Sequence, residues 1–445
     1  MDSPPTQEAA AAGGLRPRLG ALRASETAKA AFLAAATMVQ QLLAVVFTIV
    51  FTRLLGTDGY GSLAALLNLT VILLVPGAAL QVAAAREGTL GRLGRGGELR
   101  ATLDRWMRHL LIGLAAVTVL SVLAREPLAA LINVDEAWAA AAVPPTAALW
   151  LVLSVQRGLL QAARAYSPVA ASIVLEGIGR VVVALGFVAV GLEVTGAYLG
   201  TFAAFACAVI ALWVVLRRRL GPATHDEARH PLRRLARDAA IPITGLVLVA
   251  ALQNVDVIMA RHALDEDSAG VYAAATVAAK AVVWLAVGVG LWLLPEATRR
   301  AAGGQDPRPV LARALGLIAL IAGPALVAFA TFPGPLLKAA FGAEFERGDA
   351  VLFTLGAAFA LLAAVYLCVQ YLLGLHRRGF VLALAIAAAA EPILLLDADT
   401  LESFAGTVLA VQGAAALAML ALVLRAGRGP FPNVKNSTDE TSAVL

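Results

Sequence analysis

Runs of about 20 apolar residues recur along this chain, and that is the length a helix needs to cross a membrane's ~30 Å hydrocarbon core. Twelve such runs are expected to form spanning helices: 28–51, 62–85, 109–124, 138–160, 168–190, 196–216, 239–260, 269–294, 311–331, 350–373, 379–396 and 404–424. The third and eleventh are at the short end of what can cross. Composition agrees: 60% of the residues are hydrophobic and 15% charged, with a mean hydropathy of +0.81. A soluble domain carries roughly 45–50% apolar and about 25% charged residues. A soluble enzyme and a disordered chain are both excluded. No loop between the runs approaches the roughly 50 residues of a separate catalytic domain. The expected fold is all-α, a polytopic membrane protein.

Lys and Arg placement orients it. With the N-terminus inside, the inner segments carry 28 of the 35 basic residues. The outer loops carry five: Arg53, Arg125, Arg261, Lys338 and Arg347. Both termini are therefore expected in the cytoplasm of a cell that carries the protein in its inner (plasma) membrane. The expected divisions are an N-tail at 1–27, a six-helix bundle at 28–216, a basic linker at 217–238, a second six-helix bundle at 239–425 and a C-tail at 426–445. The linker, RRRLGPATHDEARHPLRRLARD, is suited to anionic lipid headgroups. The net charge of +5 reads as basic cytoplasmic loops, and nucleic acid is not an expected partner. Trp106, Trp138, Trp213 and Trp292 fall near the expected interfaces. Cys207 and Cys368 lie in apolar runs and read as small hydrophobes.

The two halves are related. Residues 51–66 (FTRLLGTDGYGSLAAL) follow the first span, and 259–275 (MARHALDEDSAGVYAAA) follow the seventh. With one inserted residue, Arg53 aligns with Arg261, Asp58 with Asp267, Gly61 with Gly270 and Ala64–Ala65 with Ala273–Ala274. Duplicated halves are a recurring transporter architecture, with the substrate held between the repeats. The turn formed by Arg53, Leu55, Gly56, Tyr60 and Gly61 resembles that of the polysaccharide and lipid-linked oligosaccharide flippases. These O-antigen-transporter-like proteins belong to the multidrug/oligosaccharidyl-lipid/polysaccharide exporter superfamily. The resemblance implies a V-shaped pair of six-helix bundles around a central cavity that opens alternately to either side.

Five ionisable residues fall inside expected spans and away from their ends: Glu176, Arg180, Asp256, Lys280 and Glu391. Each costs roughly 2.5–3.5 kcal/mol at a helix centre, so such residues face a cavity or a partner. At about 1.5 Å per residue, Arg180 is roughly 18 Å and Lys280 roughly 16 Å into its helix, near the midplane. One basic residue from each half is placed to neutralise an anionic headgroup such as a polyprenyl-linked phosphate. The plain alternative pairs Arg180 with Glu176, four residues earlier on one helix face. Gln253 and Asn254, with Gln40 and Gln41 in the first helix, are further candidates to line the cavity and bind sugar hydroxyls. Asp256 and Glu391 are candidates to carry a coupling H⁺ or Na⁺, or to make interhelical hydrogen bonds.

Other chemistry is not expected. No GxxxxGK[ST] stretch exists for ATP. The five histidines lack HxxxH spacing, so no metal site and no further cofactor are expected. The sequence reads as a non-enzymatic flippase that carries a polyprenyl-phosphate-linked glycan from the cytoplasmic to the outer leaflet. Its partners would be that substrate, membrane lipids and glycan-assembly enzymes. Two other readings stay open. One is a cation-coupled multidrug exporter, whose resemblance would call for a carboxylate in the first helix; 28–51 has none. The other is a non-transporting scaffold, in which the intramembrane charges are dispensable.

Overall fold

The structure is a computed structural model and describes residues 26–94, 96–223, 237 and 240–426. The N-tail, most of the basic linker and nearly all of the C-tail lie outside the described residues. Among those described, the chain is helical throughout and contains no strand. The helices are α1 Glu26–Thr89, α2 Gly97–Leu123, α3 Arg125–Ile132, α4 Ala137–Ala162, α5 Tyr166–Ala189 and α6 Glu193–Leu220 in the first half. The second half has α7 Ala240–Ala263, α8 Glu266–Ala279, α9 Ala281–Ala302, α10 Arg308–Thr331, α11 Pro333–Phe341, α12 Asp349–Gly374, α13 Phe380–Leu395 and α14 Leu401–Ala426.

Ten helical stretches are long and apolar enough to cross a membrane, against twelve expected. The difference has two causes. The first and second expected spans are one continuous helix, α1, bent at Gly56. Gly56 has φ 70° and ψ −169°, a region only glycine enters without strain. It lets the chain turn without a loop, where the polar stretch Thr57–Tyr60 reads in sequence as one. The eleventh expected span is α13, 16 residues long and so below a full crossing length. The eighth span is also corrected. It is not a single helix over 269–294 but two, α8 and α9, interrupted at Lys280.

The packing suits a lipid solvent. Large aliphatic side chains such as Met38, Leu42, Leu123, Val190, Leu320 and Leu417 point outward. Alanine dominates many of the buried faces, which lets helices approach closely. One apolar core gathers mostly residues of α7–α14. Two further cores lie within α1–α6 and the segments between them. The short helices α3 and α11 each sit between two spanning helices, α2 and α4 or α10 and α12, so the likeness of the halves extends beyond the aligned turn.

The candidate site between the halves

Two segments that align in sequence meet in space. Around the bend, Asp58 pairs with Arg261 at 3.0 Å, and the Thr57 hydroxyl donates to Asp267. Arg261 Nε donates to the Asn133 carbonyl at 3.2 Å, and the Asn133 amide donates back to the Arg261 carbonyl. Arg53 donates to the Ala339 carbonyl at 2.9 Å. Tyr60 is buried with its ring edge-on to Phe345, 6.1 Å between centroids. Gly61 lies against Gly270 so closely that a Cβ on Gly61 would meet the Gly270 nitrogen at 3.2 Å. A Cβ on Gly270 would come within 1.9 Å of the Thr57 carbonyl oxygen. Four of the five residues of the turn, Arg53, Gly56, Tyr60 and Gly61, thus lie at the seam between the halves. Just beyond it Asp265 caps α8, and hydrogen bonds from Ser268 hold its carboxyl below the usual carboxylate range.

The seam continues inward to Lys280. Asn68 lies twelve residues past Gly56, about 18 Å along the helix. Lys280 Nζ donates to Asn68 Oδ1 at 2.8 Å and to Asn254 Oδ1 at 3.2 Å. It also lies 5.4 Å from the centre of the Phe359 ring. One ammonium thus ties α1 of the first half to α7 of the second. It sits at the break between α8 and α9, only 5% exposed. Of the two candidate glutamine and asparagine neighbours, Asn254 is buried in this contact and Gln253 is half-buried beside it.

The other expected site residues form two separate clusters, one inside each half. In the first half Glu176 does not take Arg180 as its hydrogen-bonded partner. Its Oε2 accepts from Arg157 Nη2 at 2.6 Å, and its Oε1 accepts from Gln40 at 3.0 Å. Arg157 Nε donates to Ser172 at 3.0 Å. Arg157, three residues from the inner end of the fourth expected span, is 2% exposed and belongs with the intramembrane charges. Arg180 lies on the same face of α5, its guanidinium 4.1 Å from the centre of the Phe47 ring. Gln41 is exposed.

In the second half Asp256 and Glu391 are both fully buried. Tyr272 donates to Asp256 Oδ2 at 2.9 Å. Gln412 donates to the Leu252 carbonyl at 2.8 Å and approaches Glu391 Oε2 at 3.5 Å. Asp256 Oδ1, Glu391 Oε1 and Gln412 Oε1 are buried without a hydrogen-bond partner among the described residues. Asp256, Glu391 and Lys280 lie within electrostatic reach of one another. The described residues contain no group of three His, Cys, Asp or Glu side chains placed to hold a metal ion.

Sequence reasoning missed Asn68, Asn133 and Arg157. Asn68 and Asn133 bond residues 212 and 128 positions away, which no local pattern reveals.

The fold is similar to that of the lipid II flippase MurJ in an inward closed conformation. The TM-score is 0.69 over 89% of this chain and 88% of that one, at 12% identity. It is also similar to an outward-facing multidrug resistance MATE family transporter of the MOP superfamily, with TM-score 0.59, 91% and 97% coverage and 13% identity. A MOP superfamily transporter from Pyrococcus furiosus matches with TM-score 0.55, the same coverages and 17% identity. No curated protein matches the chain by sequence. A family model described as polysaccharide biosynthesis protein matches residues 27–289, more than half of the chain. This chain therefore belongs to the polysaccharide biosynthesis protein family.

Proposed function

We propose that this chain is a flippase that moves a polyprenyl-phosphate-linked oligosaccharide or polysaccharide precursor from the cytoplasmic to the outer leaflet. It makes and breaks no bond. The observation that carries the reading is the Lys280 ammonium, set on the seam between the halves with its hydrogen bonds going to two neutral amide oxygens among the described residues. An arriving phosphate offers that ammonium a charge-assisted bond, roughly twice as strong as a neutral one. Taking it loosens the tie to Asn68, so substrate binding and release of the seam draw on the same group. Gln253 and Asn254 stand ready for sugar hydroxyls. The Lys and Arg distribution puts the Gly56 end outside and both termini in the cytoplasm. Twelve crossings follow when the two arms of α1 and the short α13 are each counted. The two bundles, 28–216 and 239–425, then rock about a seam closed on the outer side, in the inner (plasma) membrane beside glycan-assembly enzymes.

Purified protein in proteoliposomes tests this. It is expected to move a labelled polyprenyl-diphosphate sugar out of reach of an impermeant reagent on one face and into reach on the other. Efflux of organic cations without movement of the lipid-linked sugar would replace the flippase with the exporter.

The coupling ion, H⁺ or Na⁺, is assigned to Asp256 and Glu391, each of which has a buried oxygen without a hydrogen-bond partner among the described residues. A double Asp256→Asn, Glu391→Gln variant is expected to respond at most weakly to an imposed pH or Na⁺ gradient, where the parent accelerates several-fold. Equal acceleration in both would remove the assignment.

A further inference from the structure

The last turn of α6 carries three consecutive arginines, Arg217, Arg218 and Arg219, all exposed. One turn earlier, two guanidiniums lie against the half-buried ring of Trp213. Arg217 is 4.6 Å from the ring centre, and Arg100, from the first turn of α2, is 5.6 Å from it. Arg100 is buried and its charge is met within α2, where its Nε donates to both oxygens of Asp104 at 2.9 Å. Its Nη1 donates to the Arg217 carbonyl at 3.5 Å and so ties the end of α6 to α2. The three arginines of α6 have no carboxylate partner among the described residues.

A basic residue in the last turn complements the negative end of a helix, which amounts to roughly half an elementary charge. One arginine is enough for that, and α6 has three. An exposed arginine gains little from an ion pair, because it must give up side-chain freedom to make one. Arg217 has given up part of that freedom already, since Trp213 holds its guanidinium. Contact with a ring face leaves the N–H edge free for the paired oxygens of a phosphate. The residues below the arginines decide what kind of anion fits. Ile210 and Val214 are 64% and 41% exposed, and at spacings of four they share one helix face with Arg218. Ile210 lies about 12 Å along the axis from Arg218. An apolar row thus runs into a cationic one, on a helix long and apolar enough to cross a membrane. That face suits a molecule with a phosphate at one end and hydrocarbon at the other.

We propose that the end of α6 binds an anionic glycerophospholipid of the surrounding bilayer. Its phosphate sits on Arg217 and Arg218, and its acyl chains lie along Val214 and Ile210. Basic clusters at the cytoplasmic ends of spanning helices are suited to such headgroups. This lipid is distinct from the substrate assigned to Lys280, and its role is to fix the end of α6 against α2 where the basic linker begins.

The test uses full-length protein in detergent, with the thermal unfolding midpoint followed as phosphatidylglycerol, phosphatidylcholine or soluble glycerol 3-phosphate is added. Phosphatidylglycerol is expected to raise the parent's midpoint saturably by several degrees, and the other two are not. A triple variant, Arg217→Gln with Arg218→Gln and Arg219→Gln, is expected to lose at least half of that rise. Its midpoint without lipid should stay near the parent's, because the three side chains are exposed. A control pair, Arg377→Gln with Arg378→Gln, alters two exposed arginines between α12 and α13 and is expected to keep the rise. Native mass spectrometry reads the parent without any variant, and should show one phosphatidylglycerol retained under conditions that strip phosphatidylcholine. Equal effects of the two lipids, or an undiminished rise in the triple variant, would overturn the proposal. So would an equal loss in the control pair, which would make the effect one of overall charge, or a rise reproduced by glycerol 3-phosphate, which would make the ligand a free anion. None of these readouts involves transport, so they stand or fall separately from the flippase reading.

Discussion

Gly270→Ala is expected to hold the Gly56 end of the molecule open. The added Cβ would lie 1.9 Å from the Thr57 carbonyl oxygen and 2.5 Å from its carbon, both backbone atoms that no rotamer change can move. Overpacking of this kind typically costs 1–3 kcal/mol when a core must absorb it. Here the halves can separate instead, at the expense of the Thr57–Asp267 and Asp58–Arg261 contacts. States of an alternating transporter differ by only a few kcal/mol, and each 1.4 kcal/mol is a factor of about ten in population. A cysteine placed at Ala64, which is buried in the seam, reports the change once Cys207 and Cys368 are replaced. Labelling of that cysteine by an impermeant maleimide from outside should rise tenfold or more in the Gly270→Ala background. Unchanged labelling would mean that this end does not gate the molecule.

Lys280→Met is expected to abolish transport while leaving the fold in place. The substitution keeps most of the side chain's length and removes only the charge. Asn68 and Asn254 each lose a donor, which costs about 1–3 kcal/mol where the group stays dry. Relief from burying an ammonium offsets part of that. The protein should therefore reach normal levels in the membrane. Truncating one partner of a buried charge–charge contact costs about 2–5 kcal/mol, and at 1.36 kcal/mol per tenfold this lowers the transport rate by about 30-fold or more. Lys280→Arg should keep part of the activity, since a guanidinium still binds phosphate but fits the two amide oxygens poorly. Parent-level transport by Lys280→Met at parent expression would remove Lys280 from substrate binding.

Much of this architecture was legible in the chain. Apolar run length located nearly every long helix, because a helix is the form in which a lipid-exposed backbone satisfies itself within one segment. The aligned pairs Gly61–Gly270 and Asp58–Asp267 anticipated a duplicated turn, though not that its two copies pack against each other. The Gly56 bend escaped detection because a single positive φ replaced the expected loop. Intramembrane charge singled out Glu176, Arg180, Asp256, Lys280 and Glu391 in the sequence. What sequence could not supply was their grouping. Glu176 and Arg180 are one helical turn apart, yet Glu176 is bonded to Arg157 from α4. Arg157 lies five residues from the end of its helix, where a basic residue reads as belonging to the adjoining inner segment. Asn68 sits in an apolar stretch and donates to its own helix at the Ala64 carbonyl, and nothing local shows that its Oδ1 is taken by a lysine 212 positions away.

The most direct measurement is the leaflet distribution of lipid-linked sugars after the protein is depleted from the cell that makes it. The proposed flippase activity requires accumulation of one lipid-linked glycan on the cytoplasmic leaflet, relieved by the parent protein and not by Lys280→Met. An unchanged distribution of every lipid-linked glycan would contradict it.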